Sequence, residues 1–157
     1  MILFGLLATA SAAQSVALMG EFLTHPGVVA GLEHPVSEHA VIAWNLGTYV
    51  HVRNTVGVFT DVELGARHAF PSRFVLEGFA GVGYLHTFVQ GPVYVVEDDA
   101  VDHVTDPGRP SFMPTLRFGV AAARDKLTPF VHVQGFGQYP FNTQVLPHVA
   151  LVVGVRS

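Results

Sequence analysis

Clustered carboxylates are the most concentrated chemical feature of this chain. Five acids fall within residues 97–106, and these are Glu97, Asp98, Asp99, Asp102 and Asp106. Hard cations such as Ca²⁺ take several oxygen ligands of this kind. The spacing is not that of an EF-hand, because the segment has neither the turn glycine nor the closing glutamate. We therefore predict a hydrophilic surface loop, with cation binding as the alternative.

Imidazole is the other group that could bind a metal. The chain has nine histidines and no cysteine, which excludes disulfides, thiolate nucleophiles and zinc–thiolate sites. There is no HExxH motif. His51, His132 and His148 share one face of their strands, but strand register decides whether they meet. We predict no metal site and no cofactor, and we interpret these histidines as hydrogen-bonding side chains.

Nucleophilic catalysis has weak support. Lipid acyl chemistry by a His/Ser pair would need polar residues on the apolar face, and the candidates there are His34, Thr48, Thr60, His68 and His86. We find no serine at an obviously matching level and no GxSxG motif. The chain is therefore predicted not to be an enzyme.

Composition limits the class of protein. Half of the 157 residues are apolar and only 13% are charged, against about 25% charged in ordinary soluble domains. This much apolar surface excludes a disordered chain. The net charge of −4 lacks the basic surface that nucleic-acid binding needs. The length corresponds to one domain.

The amino terminus is typical of an exported protein. Residues 2–8 are apolar and are followed by small residues with the A-x-A character of a signal-peptidase site. The sequence predicts a short signal peptide over residues 1–13 and a mature domain over residues 14–157. A transmembrane helix is the weaker alternative, because polar residues interrupt the apolar run well short of about 20 residues.

Period-2 alternation runs through the mature chain and predicts strands. The clearest case is 40–53, where Ile42, Trp44 and Leu46 alternate with Asn45 and Gly47. Eight sequential antiparallel strands are predicted, and they cover 16–24, 28–34, 40–53, 55–67, 73–89, 112–122, 127–139 and 145–155. A turn at His25-Pro26-Gly27 separates the first two strands.

Alternation alone does not say which face lies inside, because soluble barrels bury the apolar face and membrane barrels expose it. The polar face is rich in glycine, which would leave room for long arginine side chains in a narrow lumen. Its acids and arginines are balanced, with Glu21, Glu33, Asp61, Glu63 and Glu77 against Arg53, Arg67, Arg73, Arg117 and Arg156. Together with the signal peptide, these features favour an eight-stranded antiparallel up-and-down transmembrane β-barrel, with the charges paired in its lumen.

Connection lengths fit a periplasmic amino terminus. The even-numbered connections at 35–39, 70–72 and 124–126 are short, as periplasmic turns are. The longest connection, 90–110, would then lie outside the cell.

Three segments resemble small, uncharacterised bacterial outer-membrane β-barrel proteins. These are GYLHTF at 83–88, GRPSFMP at 108–114 and QYPFN at 138–142. More loosely, the design is similar to that of the eight-stranded OmpA, OmpX and OmpW barrels. The resemblance implies the barrel fold, the outer membrane and contact with the barrel-insertion machinery. It implies no activity.

The expected role is a non-enzymatic structural or surface-interaction barrel, with weak passage of small solutes left open. The expected partners are membrane lipid and lipopolysaccharide bridged by divalent ions, and not nucleic acid. Three alternatives remain, namely a narrow porin-like channel, a lipid-modifying enzyme and a soluble lipid-binding barrel. The oligomeric state is not predicted.

Overall fold

The computed structural model describes residues 12–52, 54–97, 100–105, 107–124, 126–141 and 144–157. Within these ranges ten strands form, and they are β1 (Ala13–Glu21), β2 (His25–Pro35), β3 (Ala40–His51), β4 (Thr55–Ala69), β5 (Phe74–Val89), β6 (Val93–Glu97), β7 (Ala100–Val104), β8 (Arg109–Ala122), β9 (Thr128–Phe141) and β10 (Gln144–Arg156). No helix long and apolar enough to cross a membrane occurs in these ranges. The predicted signal peptide falls mostly on residues 1–11, outside the described residues, and stays a prediction.

Eight of the strands form one closed antiparallel barrel. Its order is β1-β10-β9-β8-β5-β4-β3-β2, so each barrel strand pairs with the barrel strands before and after it in sequence. The first and last strands close the barrel, from the pair Ser15 and Arg156 to the pair Glu21 and Ala150. The predicted eight-stranded up-and-down barrel is confirmed.

The remaining two strands form a separate hairpin, β6–β7, within the predicted long connection. Neither strand is among those predicted from the sequence. Their side chains are mostly exposed, so the hairpin lacks the alternation between a buried and an exposed face that reveals the barrel strands.

The first turn differs from its prediction. Phe22 and Leu23 have φ angles of 46° and 62° and form the turn between β1 and β2. His25, Pro26 and Gly27 instead begin β2, where they pair with the end of β1. The prediction of a His-Pro-Gly turn was wrong because Pro and Gly are common in turns and Phe-Leu is not a turn signal.

The apolar face lies outside. Leu18, Leu64 and Phe118 are 70%, 63% and 57% exposed, whereas Glu21 and Glu63 on the opposite face are at most 1% exposed. A soluble lipid-binding barrel would have the reverse arrangement. The strands are also long enough to cross a membrane, since β4 and β5 have 15 and 16 residues, against about 9–11 for a tilted spanning strand.

Candidate functional site: the barrel interior

The interior contains both polar and apolar side chains. Tyr49, Phe59, Phe79, Leu85 and Met113 point inward and are at most 2% exposed. They lie among buried acids, arginines, histidines and amides, which form three clusters along the barrel. Period-2 alternation predicted a polar face here with Tyr49 on it, but it did not predict the inward rings of Phe59 and Phe79.

The terminal-end cluster lies at the end of the barrel that carries the chain termini. It consists of Glu33, Arg67, Glu77, His132 and Arg156. Glu77 receives Arg67 Nε and Arg156 Nη2 at 2.6 Å each on Oε1, and His132 Nε2 at 2.8 Å on Oε2. Glu33 pairs with Arg67 and with Arg156, whose Nη1 lies 3.2 Å from Oε2. Two carboxylates therefore share two guanidinium groups, and an imidazole bonds to one of these carboxylates, Glu77.

The central cluster lies midway along the barrel. It consists of Asn45, Asp61, Glu63, Thr115, Arg117 and Gln134. Arg117 Nη2 lies 2.6 Å from Glu63 Oε2, and Asn45 Nδ2 donates to Asp61 Oδ1 at 2.7 Å. The guanidinium carbon of Arg117 is 4.1 Å from the Phe79 ring centroid, within the range of a cation–π contact. The aromatic ring and the carboxylate together hold this arginine across the lumen.

The histidine cluster lies at the opposite end, below the hairpin. It consists of Glu21, His25, His51 and His148. The Glu21 carboxylate receives His25 Nδ1 at 2.6 Å, His51 Nε2 at 2.7 Å and His148 Nδ1 at 2.7 Å. The His148 ring also stacks on Phe136, with a centroid separation of 4.7 Å and an interplanar angle of 2°.

Inward aromatic residues lie over glycines on the neighbouring strand. Gly47 pairs with Phe59 and Gly65 with Phe79. A Cβ added to Gly47 or Gly65 would lie 2.3 Å from the facing ring. The same arrangement joins Gly57 to Tyr49. The prediction that glycines make room for arginine is wrong at these three positions, where the nearest atoms belong mainly to aromatic rings.

Most of the predicted lumen charges point inward. The five acids Glu21, Glu33, Asp61, Glu63 and Glu77 are buried, and Arg67, Arg117 and Arg156 pair with three of them, Glu33, Glu63 and Glu77. Arg53 lies outside the described residues. Arg73 was wrongly assigned to the lumen, because it occupies the turn before β5 with a φ of 66° and is exposed.

Imidazoles are the other basic partners of the buried acids among the described residues. Among the described residues, five buried acids face three inward arginines. His25, His51, His132 and His148 bond to these acids. Period-2 alternation predicted that His51, His132 and His148 point inward. It did not predict this for His25, which was assigned to a turn.

The predicted cation loop is only partly described. Glu97 and Asp102 lie on the hairpin and are exposed. Asp98, Asp99 and Asp106 lie outside the described residues. Cation binding by this segment stays a prediction.

Three of the outward polar residues, Thr48, Thr60 and His86, have hydrogen-bond partners within the described part of the chain. His86 receives a hydrogen bond from the Tyr84 hydroxyl at Nδ1 and donates from Nε2 to the Pro107 carbonyl, at 2.6 and 3.0 Å. Thr48 and Thr60 donate to backbone carbonyls within the barrel wall. These contacts explain why such side chains occur on an apolar face.

Solved structures share this architecture. The N-terminal β-barrel domain of Pseudomonas aeruginosa OprF aligns with a TM-score of 0.61 at 11% identity, over 94% of this chain and 99% of that one. Neisserial surface protein A aligns with a TM-score of 0.68 at 10% identity, over 92% and 94% of the two chains. The attachment invasion locus protein Ail of Yersinia pestis gives 0.53 at 9% identity, over 94% and 97%.

The fold is that of a small outer-membrane β-barrel. The resemblance to eight-stranded outer-membrane barrels inferred from the sequence is thereby confirmed for the fold. No sequence-family model matches the chain, and no curated protein matches it in sequence.

Proposed function

We propose that this chain is a non-enzymatic structural and surface-interaction barrel of the bacterial outer membrane with a closed lumen. The observation that supports this function is the filled interior. Three polar clusters and several aromatic rings cross the lumen at successive levels, and all members of the central cluster are at most 6% exposed. An eight-stranded barrel is only wide enough for its own side chains.

Conductance in planar lipid bilayers tests the closed lumen. The folded protein is expected to give no discrete current steps, because ions would have to displace buried, paired charges. Heat-denatured protein in the same detergent is the control for detergent leakage. Reproducible steps from folded protein alone would favour the narrow porin-like channel and reject the closed lumen.

The non-enzymatic role has a separate test. A lipid-modifying barrel would change the acylation pattern of lipid A when it is expressed in the outer membrane, and mass spectrometry reads that pattern directly. We expect the pattern to be the same with and without the protein. If the protein alters the acylation pattern and a His86→Gln variant does not, the protein is a lipid-modifying enzyme and this proposal is rejected.

The hairpin is the proposed contact surface outside the cell. Tyr94, Val96 and Val101 are 57%, 68% and 64% exposed, and Glu97 and Asp102 lie beside them. We expect divalent ions to bridge these acids to lipopolysaccharide phosphates. The hairpin should then increase Ca²⁺-dependent binding to lipopolysaccharide vesicles, and equal binding by a Glu97→Gln/Asp102→Asn variant would exclude this bridge.

A further inference from the structure

Glu21 differs from the other acids of the lumen in the kind of partner it has. Arginine contacts Glu33, Glu63 and Glu77. The partners of Glu21 in the described part of the chain are three imidazoles, from His25, His51 and His148. Its side chain is fully buried, so a negative charge there needs a nearby positive charge.

We infer that the histidine cluster binds a transition-metal ion of the Zn²⁺ class. Glu21, His51 and His148 each offer one ligand atom, and these atoms all lie within 4.8 Å of one another. Two imidazoles, a carboxylate and one open position are a known zinc ligand set. Nitrogen ligands favour such ions over Ca²⁺ and Mg²⁺, which prefer oxygen.

Small movements would convert the hydrogen-bonded arrangement into a metal site. Ligands at about 2.0–2.1 Å from a tetrahedral zinc ion lie about 3.3 Å apart. His51 Nε2 lies 2.7 Å from Oε2 of Glu21 and His148 Nδ1 lies 2.7 Å from Oε1, and one ligand atom from each residue lies within 4.8 Å of the others. Changes of at most about 1.5 Å in these separations would therefore bring the three atoms to tetrahedral spacing. His25 donates to the carboxylate from Nδ1, which is the type of contact that orients a metal-bound carboxylate.

The rings are already held in place. His148 stacks on Phe136, and His25 stacks on His51 with a centroid separation of 3.7 Å. A cavity of about 260 Å³ lies beside the cluster, with His51, His148, Tyr49, Thr87 and Gln138 among its lining residues. The cavity gives an ion a route to the ligands and room for a water molecule in the open position.

Metal titration of the folded barrel tests the site. Untagged protein in mild detergent, freed of metal by a chelator, is titrated near neutral pH with Zn²⁺ by calorimetry and with Co²⁺ by visible absorption. One ion per barrel is expected, with the intense absorption of a tetrahedral Co²⁺ site. His51→Gln and His148→Gln each remove a ligand and should lower the affinity by at least about 100-fold, and His25→Gln by about 10-fold.

Controls separate the cluster from folding and from surface histidines. His39→Gln changes an exposed turn residue and should leave the affinity unchanged. Heat-modifiable gel mobility verifies that each variant is a closed barrel, and His51, which is 20% exposed, is the ligand best suited to substitution. Absence of binding by the folded protein, unchanged affinity in folded His51→Gln, or loss in His39→Gln would each overturn the site. None of these results depends on whether the lumen conducts.

Discussion

Glu77 connects four strands of the barrel through one carboxylate. It lies on β5 and bonds to Arg67 on β4, His132 on β9 and Arg156 on β10. All of these side chains point into the barrel interior, where Glu77 and His132 are each 1% exposed. Removal of the carboxylate would leave two guanidinium groups sharing only Glu33.

The first prediction concerns this carboxylate. Glu77→Ala should lower the free energy of unfolding by about 3–5 kcal/mol, because it leaves buried positive charge without its partner. Urea unfolding in phospholipid vesicles measures the change. Glu97→Ala removes an exposed acid of the hairpin and should change stability by less than about 0.5 kcal/mol. Equal effects of the two substitutions would contradict the role of Glu77.

The second prediction separates the charge of the central pair from its shape. Glu63→Gln and Arg117→Met should each destabilise the barrel, since each leaves one charge of the 2.6 Å pair unmatched. The double variant should lose less than the sum of the two, because neutral replacement of a buried pair is often close to neutral. A double-mutant cycle measures this coupling, and strict additivity would show that the two side chains act independently.

Some of these partners could be predicted from the sequence and others could not. Arg67 and Glu77 lie directly opposite each other on β4 and β5, so a short turn and period-2 alternation are enough to bring them together. Arg156 lies 79 residues from Glu77 and reaches it only across the closed lumen. Its partner depends on strand tilt and register around the whole barrel, which alternation does not determine.

At the scale of strands, the repeated unit is a glycine facing an aromatic ring. Each pair joins neighbours in register, as Gly65 does with Phe79. The ring lies across the strand where a Cβ would otherwise stand, which lets a large side chain fit inside a narrow barrel. Packing of this kind covers the glycine backbone and fills the space between the polar clusters.

The third prediction tests that packing. A Cβ at position 65 would lie 2.3 Å from Phe79 Cδ1 and 2.9 Å from Val41 Cγ1. Gly65→Ala should therefore destabilise the barrel by about 1–3 kcal/mol, the usual cost of overpacking. Gly135→Ala is the matched control, because the nearest atom to a Cβ there is 3.9 Å away. Adding Phe79→Leu to Gly65→Ala should recover part of the loss, and no recovery would mean that the ring is not the obstacle.

The positions of the strands were easier to predict from the sequence than the contacts of their side chains. Period-2 alternation predicted all eight barrel strands, because successive side chains point alternately to the apolar outer face and into the more polar lumen. It did not predict β6 and β7, because the side chains of strands outside the barrel wall do not alternate between an apolar outer face and a polar lumen. It also assigned Arg73 to a strand, because an arginine next to a period-2 segment continues the pattern even where the backbone turns.

For the whole molecule, closing the barrel also brings together the side chains that fill its interior. Pairing of β1 with β10 closes the sheet formed by the described strands, and closed sheets of this kind are the β-structures that can span a lipid bilayer. The same closure brings acids from early strands onto arginines and histidines from late strands, such as Glu33 with Arg156 and Glu21 with His148. Chain ends that are far apart in sequence therefore stabilise the lumen together.

The hairpin stands apart from that closed unit, which leads to the last prediction. β6 and β7 pair only with each other in the sheet arrangement, while β5 and β8 continue the barrel wall beneath them. Replacement of residues 93–104 by a short Gly-Ser linker should leave a barrel that still migrates faster on unheated gels and unfolds at nearly the same urea concentration. The same variant should lose Ca²⁺-dependent lipopolysaccharide binding if the hairpin is the contact surface. Loss of the fast-migrating band would instead show that the hairpin is needed to close the barrel, and that folding and surface contact cannot be assigned to separate parts of the chain.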